Sequence, residues 1–241
     1  MGVIGRGIAS DAGLTAEWLF TDRHGGVSEQ PFASLNVGAS VGDDPQAVAR
    51  NREIAASYLA ADSLGMMHQV HGRAVAILDE PAHPPPQADG VMTRAVGLPL
   101  VVQVADCVPV LVADLAGGSV AAVHAGWRGV AADVVGATVE ALAPVGPVHA
   151  WVGPAICPGC YEVSDEVRAE VADVVPEAFA TTSRGTPAID LRRAVRAQLS
   201  AHGIDAVLVG SCTFESPDLF SFRRDAVTGR QAGLIVMRQR P

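Results

Sequence analysis

Three side chains able to ligate a transition metal stand at the edges of apolar runs: His71 in HQVHG, Cys107 in VADCVPV and His124 in AAVHAGWRG. A thiolate and two imidazoles suit Zn²⁺, and three protein ligands leave a fourth position for water or substrate. A water held there is acidified toward neutrality and becomes a usable nucleophile. His68 competes with His71, because HQVH offers both. In a helix the two share a face, whereas in an extended segment their odd separation turns them apart. The same residues also suit a metal-independent cysteine hydrolase, with Cys107 as nucleophile and His124 as base, acting on cell-wall peptides or amides. A non-catalytic metal- or partner-binding protein is the third reading that spacing alone leaves open.

Other chemistry-bearing motifs fail on context. Cys157 and Cys160 form a CPGC element, but a zinc ribbon needs a second CxxC and the sequence has none. A thioredoxin-type pair would open a helix in a small βαβ domain, which this context does not match. The zinc-deaminase pattern places HxE upstream of PCxxC, whereas His149 lies in HAW without a Glu and Ile156 precedes Cys157. CPGC therefore reads as a turn with two buried thiols. GGVSEQPFASLNVG lacks the lysine and spacing of a P-loop, and the N-terminal glycines do not follow an expected strand.

The elements that must position these residues alternate short apolar strands with helical stretches. Strands are expected at Trp18–Thr21, on both sides of Asp106–Cys107 in LPLVVQVADCVPVLVAD, in GSVAAVHA and in HAWVGPAI. Late strands are expected at Ala206–Gly210, Leu219–Arg223 and Leu234–Arg238. Asp44 with Pro45 opens a helix through Arg52 to about Ala60. Further helices are expected over Val130–Leu142, over Ser164–Val174 with Ser164 as cap, and over Asp190–His202 closed by Gly203. The segment 22–42, rich in Gly, Ser and Asn, is too long for a simple turn, and long loops in compact domains tend to carry function. The sum is one α/β (α+β) domain over residues 1–241, with parallel and antiparallel pairing both open.

Composition narrows the classes. The chain of 241 residues is 49% hydrophobic and 18% charged, enough to bury a full core. The longest apolar blocks, 98–104 and 108–112, are broken by Asp106 and too short for a bilayer, so no membrane partner is expected. Met1–Leu19 carries Arg6, Asp11 and Glu17 and has no apolar signal core, which points to the cytoplasm. A net charge of −9 argues against non-specific nucleic-acid binding. Four cysteines in such a chain read as thiols or ligands rather than a disulfide framework.

Taken together, TDRHGGVS, SLNVG…GDD…NR, HQVHG, ADG, ADCVPV, VHAGWRG, GPAI…CYEV and FSFRRD…TGRQAGLI resemble the YfiH-type laccase-domain family. Its members are also called multicopper polyphenol oxidases or purine nucleoside phosphorylases. The eight motifs stand in order between about Phe20 and Val236. The resemblance implies a sandwich of mixed β-sheets covered by helices, and metal binding by His71, Cys107 and His124. It also implies purine nucleosides and inorganic phosphate as partners: phosphorolysis of adenosine, inosine and S-methyl-5′-thioadenosine, and deamination of adenosine. Oligomeric state, monomer or homodimer, does not follow from it. Two positions depart from the family, Cys157 where Gly is usual and Val195 where Asn is usual.

Four-copper oxidation does not fit, since it needs on the order of ten His ligands in HxH pairs, and this chain has seven His and no HxH. A single Cu²⁺ at the His/Cys site, with polyphenol oxidation, stays open from the affinity order. For phosphorolysis a cation must hold phosphate: Arg52 leads, with Arg23 and Arg128 next. Asp106 is expected to orient the ligand Cys107 or to give a proton to the purine base.

Overall fold

In the computed structural model, which describes residues 2–240, two β-sheets lie face to face between helical layers. The first sheet is antiparallel and has four strands in the order β1 (Val3–Asp11), β2 (Leu14–Thr21), β12 (Gln231–Gln239), β5 (Leu100–Val104). The second has six in the order β11 (Ala206–Leu208), β8 (Val148–Val152), β6 (Val108–Asp114), β7 (Ser119–Ala125), β4 (Gly90–Thr93), β3 (Val75–Ile77). Its inner strands are antiparallel, while β11–β8 and β3–β4 pair in parallel. A separate ribbon joins β9 (Phe179–Thr181) to β10 (Pro187–Ile189).

Strand alternation explains the layers. In β6, Val108, Val110 and Val112 face one core and Leu111 and Ala113 the other; β7 splits in the same way between Ala121, Val123, Ala125 and Val120, Ala122. The first face is covered by α2 (Trp127–Ala131), α3 (Val134–Leu142), α4 (Asp165–Val174) and α5 (Leu191–Ala201). The second meets the four-stranded sheet, where Trp18 stacks on Trp151 at 5.1 Å between ring centroids. The outer face of that sheet is closed by Ala55 and Leu59, from α1 (Pro45–Ser57) and the turn after it, packed on Leu19, Val101, Leu234 and Val236. Because both faces of β6 and β7 are buried, these strands read as continuous apolar runs rather than alternating ones.

Helix caps follow the sequence. Asp44, Ser164 and Asp190 each accept a backbone N–H of the first turn. Three expectations are corrected. The single helix over 130–142 is two, because Asp133 adopts a left-handed conformation (φ 59°) and caps α3 through Gly136 N–H. Leu219–Arg223 is not a strand: Ser221 caps the short helix α6 (Phe222–Asp225), and Arg224 spends its guanidinium on the carbonyls of Thr213, Phe214, Ser216 and Leu219. The N-terminal glycines lie within β1, which forms a hairpin with β2 across Ala12–Gly13, both at positive φ.

The inter-sheet tryptophan pair sets a stability expectation. Trp151→Ala should lower unfolding free energy by about 3–5 kcal/mol through cavity formation, whereas Ile8→Ala on the exposed edge strand should change it by less than about 0.5 kcal/mol; urea unfolding of both variants checks this.

Candidate functional site

The HQVHG segment, the β5–β6 turn and the end of β7 meet at one edge of the inter-sheet layer. β7 alternation puts His124 on the inter-sheet side, with Val120 and Ala122. Cys107 opens β6 after Asp106, whose φ of 91° turns the chain between β5 and β6. His71 sits at φ 61°, a conformation rare outside glycine and common at sites where structure is over-determined. Gln69 fixes this segment by exchanging two hydrogen bonds with the backbone of Gln103 in β5.

One ligand atom from each of His71, Cys107 and His124 lies within 4.8 Å of the others. The imidazoles meet edge to face, 4.7 Å between centroids. Exposed His68 pairs instead with Gln87 through a backbone bridge, so His71 is the histidine of HQVH that joins the group. Gly126 leaves room beside it: a Cβ there would lie 3.0 Å from His71 Cδ2 and 3.1 Å from Cys107 Sγ, so both side chains would have to give way by a few tenths of an ångström.

Asp89 organises the group from behind. Fully buried, it accepts the backbone N–H of Val70 (3.2 Å), His71 (3.0 Å) and Gly72 (2.7 Å), and a hydrogen bond from His124 Nδ1 at 2.7 Å. That bond leaves His124 Nε2 to face the other two ligands, the usual outer arrangement of a metal-ligating histidine. Burial pushes the Asp89 carboxyl up, but His124 and the N–H groups outweigh it and hold it low. Burial likewise raises the Cys107 thiol, and the two histidines overcome this, bringing it down to about 6. Burial lowers His124, and the thiolate with Asp89 brings it up to about 9. Without a metal, the site is therefore a thiolate–imidazolium pair near neutrality.

The other expected residues surround this group or stand apart. The Asp106 carboxylate accepts Thr213 Oγ1–H and Arg223 N–H, both at 2.6 Å. Both oxygens are thus occupied, which suits a residue that positions Cys107. Arg52 Nε donates to Val37 O at 2.9 Å from the helix α1, and burial lowers its pKa. Arg128 stacks on Trp127 at 4.2 Å. Arg23 lies against Phe220 and lines a cavity of about 590 Å³ with His24, Gln30 and Asp225, none of them in the trio.

Three residues were missed by sequence reasoning. Asp89 sits in the quoted ADG motif. Arg230 is pulled down by burial and up by the charges of Cys107 and Asp106; its Cγ lies 2.7 Å from where a Gly38 Cβ would be. Tyr161 is raised by burial first and then by the Cys107 charge, so its phenol keeps its proton beside the site. The signal was the motifs TGR and CYEV, whose polar residues are not metal ligands.

The chain matches the family model described as multi-copper polyphenol oxidoreductase laccase over residues 17–238. A purine nucleoside phosphorylase of Streptomyces coelicolor is 50% identical over 229 residues, covering 91% of this chain and 95% of that protein. One from Corynebacterium glutamicum is 41% identical, covering 90% and 92%. Among solved structures, a Neisseria meningitidis protein superposes with a TM-score of 0.86 at 37% identity, covering 97% of this chain and 99% of that one. Bacillus licheniformis YfiH gives 0.85 at 29% identity, covering 95% and 98%.

Two outcomes follow from the geometry. For a cation held by the trio, Asp89→Asn should weaken binding by roughly 10–100-fold, as loss of an outer-shell partner does, read by chelator competition with added Zn²⁺. In metal-free protein, alkylation of Cys107 by iodoacetamide should rise as pH climbs through about 6 and plateau above it; His124→Ala should move that inflection upward toward an ordinary thiol.

Proposed function

Because the chain belongs to the multi-copper polyphenol oxidoreductase laccase family, whose relatives here are named purine nucleoside phosphorylases, we propose that it processes purine nucleosides at the His71–Cys107–His124 site. The observation that carries this reading is the convergence of one sulfur and two imidazole nitrogens within 4.8 Å, backed by buried Asp89. Two nitrogens and a thiolate are a zinc donor set, and the gap that Gly126 leaves open fits it. When bound, the ion would supply Lewis acidity and an open coordination position.

The chain's own groups supply the rest. In phosphorolysis a phosphate oxygen forms the bond to C1′ as the C1′–N9 bond breaks, and the base leaves with a proton. Arg52 and Arg230 approach the Val37–Gly38 backbone, Arg52 through its Nε–H and Arg230 through its packed stem, and are the cations assigned to phosphate. Tyr161, neutral and beside Cys107, donates a hydrogen bond to the base as charge builds there. Asp106, tied to Thr213 and Arg223, fixes the turn that aims Cys107. In deamination water adds at C6 of adenosine and ammonia leaves, giving inosine.

Incubation with adenosine tests this directly. Free adenine that appears only with phosphate reports phosphorolysis, inosine reports deamination, and absence of both across a nucleoside panel sinks the proposal. Cys107→Ala should abolish turnover. Arg52→Ala and Arg230→Ala should each raise the phosphate KM, the loss of one charged hydrogen bond being about 1.5–3 kcal/mol or roughly 10–100-fold in kcat/KM.

The thiolate–imidazolium pair also favours a second reading, a cysteine hydrolase with Cys107 as nucleophile and His124 as base. Chelation separates the two. The zinc reading expects activity to vanish on metal removal and return with Zn²⁺; the hydrolase reading expects metal-free protein to hydrolyse peptides or amides and to lose activity with a thiol reagent.

A further inference from the structure

Away from the trio, the CPGC turn meets a second segment of the chain. Cys160 N–H donates to Cys157 O at 3.0 Å and Tyr161 N–H to Pro158 O at 3.3 Å, curling the turn. Cys212 is brought beside it by the backbone bridge between Ala155 and Cys212, with Thr213 N–H donating to Ala155 O at 3.1 Å. Cys157 N–H points at Cys212 Sγ, 3.2 Å away, an arrangement that favours negative charge on that sulfur. Cys160 Sγ approaches Glu215 Oε1 at 3.6 Å. One ligand atom from each of the four residues lies within 4.8 Å of the others, and all the cysteines are free.

We propose that Cys157, Cys160, Cys212 and Glu215 form a second metal site that holds a structural Zn²⁺. With Zn–S bonds of 2.3 Å, sulfurs on a tetrahedral ion sit roughly 3.8 Å apart, so shifts of about 1 Å close the cluster on a cation. Three thiolates and a carboxylate fill all four positions, which marks a closed, structural site rather than one that binds substrate. Burial and mutual proximity raise the Cys157 and Cys160 thiols, as expected of donors gathered without a central charge. Arg192 beside Cys212 offsets the net negative charge of the filled site; its Nε is buried without a partner.

A plain disulfide between Cys157 and Cys160 accounts for two of these residues. It leaves unexplained why Cys212 and Glu215, 55 residues further on, aim at the same point. The zinc reading accounts for all four. It also gives the cluster a task. Cys160 precedes Tyr161, and Cys212 precedes Thr213, which holds Asp106. One ion thus staples together the two segments that wall the trio.

Metal analysis of the purified full chain tests this. We expect two zinc equivalents in the wild type and one in His71→Ala/His124→Ala, which keeps only the second site. Cys157→Ser/Cys212→Ser should likewise fall to one, with a lowered Tm. To cover misfolding of that variant, metal-free His71→Ala/His124→Ala is titrated with Co²⁺, and a thiolate-to-metal charge-transfer band at one equivalent is expected. A single zinc in wild type that is lost in His71→Ala/His124→Ala overturns the proposal, as does a Cys157–Cys160 disulfide in intact-mass analysis, or no charge-transfer band on Co²⁺ addition. These outcomes are independent of nucleoside turnover, so failure here leaves the proposed activity standing.

Discussion

A single buried carboxylate sets the geometry on which the trio depends. Asp89 holds three consecutive N–H groups of the HQVHG segment and the imidazole of His124 at once. Desolvating that carboxylate is costly unless its lone pairs are filled, and here four donors fill them. Their demand fixes His71 in a left-handed conformation that an unsupported histidine resists by about 1–2 kcal/mol. It also fixes which ring nitrogen of His124 faces Cys107. The His71 backbone conformation and the orientation of the His124 ring are therefore consequences of one residue's hydrogen bonds.

The layered fold makes that arrangement possible. β7 is buried on both faces, so a polar residue within it must either be satisfied or lie at an end. His124 does both, at the strand's last turn and against Asp89, whose own backbone carbonyl accepts His124 N–H at 2.7 Å. The long loop 22–42 is held by Asn51, which is fully buried on α1. Its amide donates to Ser28 Oγ, Ser34 O and Asn36 O and accepts Val27 N–H. Asn36 in turn receives Arg230 N–H at 2.8 Å. An apparently irregular segment is thus a hydrogen-bonded connection between helix α1 and Arg230.

How far this was legible in the chain depends on the range of each interaction. Local signals worked: Asp44–Pro45, Ser164 and Asp190 start helices where they should, and the apolar runs around Asp106 are the strands β5 and β6. Short strands β3, β4, β9 and β10, three or four residues each, carry too little periodicity to stand out. The Leu219–Arg223 run has strand-like residues, but Ser221 and Arg224 commit the backbone to a cap and to carbonyl bonds that no pattern encodes. The His71–Cys107–His124 group could be guessed because each residue sits where an apolar run ends or is interrupted, by glycine at the histidines and by Asp106 at Cys107. The neighbours of CPGC could not, because Cys212 and Glu215 lie in an unrelated segment and form no second CxxC.

Electrostatics reconcile the acidic chain with the anionic co-substrate proposed for it. A net charge of −9 acts over the whole surface and is screened within about 8–10 Å at physiological salt. What an incoming anion would meet is local. Arg230 senses the charges of Cys107 and Asp106, Arg223 stacks on Tyr161 at 4.7 Å, and Tyr161 senses Arg128 as well. Asp89 and Asp106, the carboxylates nearest the trio, have their charge already taken up by donors. The negative groups at the site are internally compensated while guanidinium groups gather around it. A small anion can therefore be drawn to one edge of an acidic protein that repels longer polyanions.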